Sequence, residues 1–390
     1  MKLRWVFAVV AAIVMLAGYA ELGLGARAIP NCANDKTQSG CPSKPKATAA
    51  VAGQPAREQE VVGIAPQADP AAIVAPIASN FNTTAELVPS WGNGAIPVSA
   101  APDNVGAFRF ACAAGISKSD DPIVWYGQPG KSHLHTFFGN TKVNAGSTYA
   151  SLRATGDSTC MSKLNRSAYW QPAMLDGDGR VVNPTFGIYY KRYPASSPLC
   201  KIQGDECVAI PPGLKFIFGY DMLTGKPATG STFWQCTTQK GDVVINERSQ
   251  TMKAALRGCA VGMRLEVRIE APDCWDGERL DSANHRDHVA YAKYNDRGQL
   301  KCDRKHPKVM PQYTQTAFWT VTADASKWVL SSDAMMGAEP GGTYHADFFS
   351  AWDPATEAKW IANCIDKLLN CSGGDLGNGQ QLRGTATVRS

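Results

Sequence analysis

QYTQTAFWTVT, Gln312 to Thr322, contains neither glycine nor proline and is built from threonines and aromatics. Such residues suit a pleated, half-buried surface. AFRFACA (107–113), SHLHTFF (132–138), FGIYYKRY (186–193), KFIFGY (215–220), GMRLEVRIEA (262–271) and TYHADFF (343–349) read the same way. Gly, Pro, Asn and Asp clusters such as LDGDGR, NDRG and EPGG separate them. Short strands between turn signals predict a mainly β fold. The expectation is an antiparallel β-sandwich, jelly-roll-like, with long disulfide-tied loops. A short C-terminal helix is expected in DPATEAKWIANCIDKLLN (353–370), where Asp353 can cap and Pro354 fits the first turn.

Outside this region the composition changes. Residues 1–28 begin with Lys2 and Arg4, continue through an apolar run from Trp5 to about Ala17, and end in small residues. That is the order of a secretory signal peptide, and the run falls short of the ~20 residues a spanning helix needs. Residues 29–102 contain an Ala/Pro-rich stretch that reads as a spacer. The folded domain is expected over 103–372, and 373–390 as a flexible tail. The expected location is secreted, periplasmic or cell-surface, with no membrane span after signal cleavage. A net charge of +5 without a Lys/Arg run gives no reason to invoke nucleic acid.

Twelve cysteines behind an export signal point to disulfides. Spacing suggests local pairs: Cys32 with Cys41, Cys200 with Cys207, Cys259 with Cys274, and Cys364 with Cys371. Cys112, Cys160, Cys236 and Cys302 are left for longer bridges.

The chain has six histidines, and five fall in three segments. In SHLHTFF, His133 and His135 share a strand face, which suits either a metal ion or acid/base work. The candidate cofactor is a divalent metal held by that pair. CWDGERLDSANHRDHVAY (274–291) is a polar loop holding Asp281, His285 and His288. In GTYHADFFSAWD (342–353), His345 and Asp347 share a face, and a carboxylate beside an imidazole can fix its tautomer. His306, next to Pro307, reads as a surface residue. Tyr169, Trp170, Tyr190 and Lys191 are candidate substrate-binding residues, since flat rings can stack on sugars. Such rings are more often core.

Four blocks in order, DPIVWYGQPGKSHLHTFFGN, SAYWQPAM, CWDGERLDSANHRDHVAY and YHADFFSAWD, resemble the secreted family named domain of unknown function nineteen ninety-six. The resemblance spans about residues 104–370. Its motif blocks fall on His133 and His135, on Asp281, His285 and His288, and on His345 and Asp347. No activity comes with it. Some members carry extracellular sugar-binding modules, which implies a polysaccharide or cell-wall glycan as partner. The expected function is therefore an exported hydrolase or lyase acting on carbohydrate through a His/Asp cluster. Two alternatives stand beside it: a metal-binding protein, and a non-catalytic wall-binding or stress-related surface protein.

Overall fold

The structure, a computed structural model, describes residues 73–90, 96, 98, 104–229, 232–244 and 248–384. The expected signal peptide, most of the spacer, Cys32 and Cys41 lie outside the described residues. Two six-stranded sheets carry the fold. In chain order their strands are β1 (Gly106–Ala113), β2 (Ser117–Lys118), β3 (His135–Gly139), β4 (Ala168–Pro172), β5 (Thr185–Arg192) and β6 (Lys215–Asp221). There follow β7 (Lys226–Thr229), β8 (Thr232–Thr237), β9 (Arg264–Glu270), β10 (Gln312–Thr320), β11 (His345–Phe349) and β12 (Asn370–Cys371). One sheet runs β7-β6-β11-β4-β3-β2, the other β8-β9-β10-β5-β1-β12. Every pairing is antiparallel except that of β12 with β1. The β-rich antiparallel sandwich expected from the segment pattern is the fold found.

Alternation explains the core. Phe108, Phe110 and Cys112 of β1, Phe186 and Tyr190 of β5, and Tyr313 of β10 turn inward from one sheet. Phe138, Tyr169, Phe216 and Phe348 meet them from the other, with Phe138 stacked on Phe186 at 3.7 Å. Burying such a side chain stabilises by about 1.5–3 kcal/mol, so this aromatic layer is the main force joining the sheets. A polar seam runs through it. Gln315 Nε2 donates to Gln171 Oε1 at 2.6 Å, Tyr344 donates to the same oxygen, and the Tyr169 and Tyr190 hydroxyls meet at 2.8 Å.

Helix α1 (Tyr149–Ala154) is held by a capping box between Thr148 and Ser151. Helix α2 (Pro354–Trp360) starts where expected: the Asp353 side chain accepts from Thr356 N, and Pro354 stands in the first turn. One wider turn, Ile361–Ile365, ends it.

Five disulfides occur among the described residues. Cys200–Cys207 and Cys364–Cys371 are the local pairs expected, and Cys112–Cys160 is a longer one. The expected Cys259–Cys274 pair does not form; Cys236–Cys259 and Cys274–Cys302 form instead. The reason is β9, which lies between the two cysteines. A strand of that length separates its ends by about 20 Å, while bridged Cα atoms lie within about 7 Å.

The packed body also extends past both boundaries expected from composition. Leu87–Pro89 pairs with Gln380–Leu382, and Ile77 N donates to the Tyr149 hydroxyl at 3.0 Å. Among the described residues no helix is long and apolar enough to cross a membrane.

Candidate functional site

Side chains alternating with the core layer point to the outer face of the β7-to-β2 sheet. Register aligns them in two rows. His135 of β3 lies opposite Pro172 of β4, and His345 of β11 lies opposite Gly219 of β6. In the next row Phe137 faces Trp170, Trp170 faces Asp347, and Asp347 faces Ile217. Gly219 has φ +90, and a Cβ there would come within 2.8 Å of the His345 Cα, so only glycine fits beside this histidine.

This outer face is not open to water. The segment between β2 and β3 folds over it, closed at its base by Ser132 N donating to Ser119 O at 3.3 Å. The Asp281–His288 loop runs along the free side of β6, where Lys215 N donates to Leu280 O and Ile217 N to His285 O. Under these covers Ile123, Phe137, Trp170, Ile217 and Phe349 form a second, smaller apolar cluster.

His133, His135 and His345 meet at one end of this face. One nitrogen from each lies within 4.8 Å of the other two. Ring centroids of His133 and His135 are 4.1 Å apart, and those of His133 and His345 5.1 Å. His133 lies two residues before the start of β3 rather than in it, yet its ring stays beside that of His135.

Hydrogen bonds settle the tautomers. His135 Nδ1 lies 2.9 Å from Asp120 O, and His345 Nδ1 lies 2.8 Å from Thr343 O. A carbonyl only accepts, so each Nδ1 carries the proton. Burial holds His135 and His345 well below the ordinary imidazole range, with neighbouring imidazoles adding to the effect, and burial pushes His133 down to about 4. Neutral rings protonated at Nδ1 keep their lone pairs at Nε2. The Nε2 atoms of His133 and His135 are buried and meet no hydrogen-bond partner from the protein.

Beyond the histidines lies a carboxyl group pair. The Asp347 carboxyl is held well above the usual range by burial and then by Asp121, with Arg286 acting in the opposite direction. Its Oδ2 is buried without a partner. Burial pushes Asp121 up to about 6, against the amides of Ile123 and Val124, which donate to its Oδ1 at 2.8 and 3.0 Å. His285 and Lys215 also act on Asp121 from the far side. There His285 Nδ1 lies 2.8 Å from Asp281 Oδ1, and Lys215 Nζ lies 3.2 Å from Asp281 Oδ2. His285 takes φ +58, an uncommon backbone state for a residue with a side chain, and such states concentrate at functional sites.

The candidates named from sequence thus separate into groups. His133, His135 and His345 converge, Asp347 adjoins them, and the Asp281–His285 pair stands at the other end. His288 does not join them: Nδ1 meets Ser282 Oγ at 2.9 Å and Nε2 meets Lys215 O at 3.0 Å, so both nitrogens fasten the loop. His306 is buried rather than on the surface, and its Nε2 lies 3.0 Å from Asp287 O.

The substrate-binding candidates are not brought together. Tyr169 and Tyr190 lie inside the aromatic layer between the sheets, where no ligand reaches them. Trp170 is buried against Phe137 at 5.4 Å. Lys191 belongs to the other sheet, 3.8 Å from Glu270. Their rings are needed for the core, and the core claims them.

Sequence reading overlooked Asp120, Asp121, Arg286 and Lys215. The consecutive carboxylates Asp120 and Asp121, a short loop before the His-x-His pair, were the available signal. Lys215 and Arg286 carried none, because their place depends on how loops lie across strands.

Three imidazoles that each bring one nitrogen within 4.8 Å of the other two, with the Nδ1–H of His135 and of His345 anchored on a backbone carbonyl, match the chemistry of a transition-metal ligand set. Zinc accepts imidazole nitrogens of this kind, and His133, His135 and His345 would be the residues to hold it. No thiol competes, since the described cysteines are all bridged.

Among curated proteins and among solved structures, none matches the chain. A family model does match, over residues 121–352, a span that contains all three histidine segments. On that match, which covers more than half of the sequence, the chain belongs to the family described as Domain of unknown function (DUF1996).

Proposed function

We propose that this is an extracytoplasmic metalloenzyme whose centre is His133, His135 and His345, and that it hydrolyses or eliminates across a bond in extracellular carbohydrate. The observation that carries the reading is the pair of buried Nε2 atoms on His133 and His135 that lack any protein donor, in a cluster where one nitrogen each of His133, His135 and His345 lies within 4.8 Å of the other two. Leaving such acceptors unmatched costs about 1–3 kcal/mol each. A metal ion would satisfy both and supply Lewis acidity or an activated water. Asp347 and Asp121, both raised by burial, would then hold and move protons on the same face. Location outside the cytoplasm is supported by five disulfides with no free cysteine among the described residues.

Metal analysis of the purified chain, reconstituted with zinc or copper and then desalted, tests the centre. About one equivalent is expected in the wild type and less than about a tenth in His135→Ala and His345→Ala, each folded by circular dichroism. Wild-type protein that retains no metal after reconstitution would remove the basis of the proposal. Cleavage of soluble polysaccharides by the loaded protein, lost in His135→Ala, is the expected activity.

A further inference from the structure

Three histidines lie outside the metal cluster, and two of them are spent on structure. His288 meets Ser282 Oγ and Lys215 O, and His306 meets Asp303 Oδ1 at 2.8 Å and Asp287 O at 3.0 Å. His285 differs from both. Its Nδ1 lies 2.8 Å from Asp281 Oδ1, while its Nε2 has no hydrogen-bond partner among the described residues and is not sealed from solvent. The rest of the residue is buried, but Ala283 and Asn284 just before it are exposed, which puts this turn at the surface.

Asp281 fixes what the open nitrogen can do. Burial works against ionisation of its carboxyl, yet the hydrogen bond to His285 and the Lys215 ammonium outweigh burial and hold it below the usual range. An ionised carboxylate only accepts, so Nδ1 carries the proton and neutral His285 keeps its lone pair at Nε2. The carboxylate is itself pinned, by Ser282 N donating to Oδ1 at 2.8 Å and by Lys215 Nζ at 3.2 Å from Oδ2. Backbone bonds fix the ring's base: His285 N donates to Ser282 O at 2.8 Å, and Ile217 N donates to His285 O at 3.1 Å. A carboxylate on one nitrogen and water at the other is the arrangement that orients a base and stabilises the imidazolium it becomes.

This dyad borders the face of the histidine cluster. Ile217, which holds the His285 carbonyl, lies opposite Asp347 in the sheet, two residues along β11 from His345. Asp121 is within electrostatic reach of both Asp347 and His285. We propose that His285 is the general base of this site, with Asp281 and Lys215 as its positioning residues. Because its free nitrogen faces water, water is the molecule it acts on. Nε2 takes a proton as the water oxygen bonds to the carbon under attack. The C–O bond to the leaving group breaks with its electron pair on the departing oxygen, which takes up a proton from solvent, to which His285 returns its own. The inference rests on the carbohydrate reading above and specifies hydrolysis rather than elimination.

Diethyl pyrocarbonate acylates an unprotonated imidazole nitrogen that it can reach, so it tests the open lone pair on the full folded chain without any substrate. Peptide mass mapping is expected to find His285 modified and His288 and His306 unmodified. His285 left unmodified in the folded protein would overturn the proposal. The role in the reaction is read with zinc-loaded protein on xyloglucan, galactomannan, mixed-linkage glucan and soluble starch. His285→Gln and Asp281→Asn are expected to lower kcat about a hundredfold or more, with zinc content at the wild-type level. Imidazole added to His285→Ala should restore part of the rate, which a merely structural histidine would not allow. A wild-type rate in His285→Gln, or loss of zinc together with activity, would overturn the assignment. Acylation of His285 with no polysaccharide cleaved by the wild type would sink the carbohydrate reading and uphold the open base.

Discussion

A histidine's role is set by where its second nitrogen goes. His135 and His345 spend Nδ1 on a backbone carbonyl and keep Nε2 aimed at the cluster, whereas His288 has both nitrogens engaged in holding its loop. Spacing in the sequence could not distinguish these cases, because the deciding carbonyls come from Asp120, Thr343 and Lys215. Burial has a different consequence at Glu357 in α2. Its carboxyl is pushed up to about 8 by burial, with only the Ile210 amide, 3.1 Å from Oε1, working against that. An unfolded glutamate titrates near about 4.3. Between those values the folded chain holds a proton that the unfolded chain has lost, so stability is full below the lower value and declines as pH rises towards the upper one. Glu357→Gln keeps an acceptor for Ile210 and cannot ionise. It is expected to unfold at higher denaturant than wild type at pH 8 by a few kcal/mol, and within about 1 kcal/mol of it at pH 4.5. Equal midpoints for the two proteins at pH 8 would contradict the assignment.

Strands and loops divide the work at the level of elements. The strands place His135, His345 and Asp347 through a side-chain period of two, and that placement was readable from SHLHTFF and TYHADFF. Where the covering loops lie was not readable. The Asp281–His288 loop docks on β6 through backbone bonds that any residue could make. Cys274–Cys302 ties down the segment containing this loop, and His306, four residues beyond the bridge, meets it at Asp287 O. Its span of 28 residues corresponds to roughly 3.5 kcal/mol in the chain-entropy account. The double variant Cys274→Ser, Cys302→Ser is therefore expected to lose about that much stability in urea unfolding. It should also show faster amide exchange at Ile217, whose N–H is held by His285 O. Exchange at Ala346 of β11, which belongs to the ladder itself, should change only as global stability does. Unaltered protection at Ile217 would mean that the bridge does not hold the loop.

Across the whole molecule, the segment before the sandwich is fastened to it at a buried arginine. Arg153 of α1 donates to Ile77 O at 3.1 Å, Ser79 Oγ at 2.8 Å and Ala351 O at 3.1 Å, and lies 3.5 Å from Asp353 Oδ2. Removing one member of such a buried pair costs about 3–5 kcal/mol, because the other is left uncompensated. Arg153→Met should lower stability by that order while the metal content of the folded protein stays unchanged, since Arg153 does not touch the histidines; a loss under about 1 kcal/mol would show the anchor to be dispensable. Composition had put this segment in a spacer, since it lacks the apolar periodicity of a strand or helix, and its order comes from contacts supplied by Arg153 and Tyr149. By itself the sequence determined the β-rich class, the family blocks, two local disulfides and the pairing of His133 with His135, all properties of near neighbours along the chain. Tertiary structure alone decided that His345 joins that pair while His288 does not, that Tyr169 and Tyr190 are core, and that Cys274 bridges to Cys302. The physical reason is shared: each outcome depends on strand order and on loops crossing strands, where residues far apart in sequence compete for the same buried space and the same backbone partners.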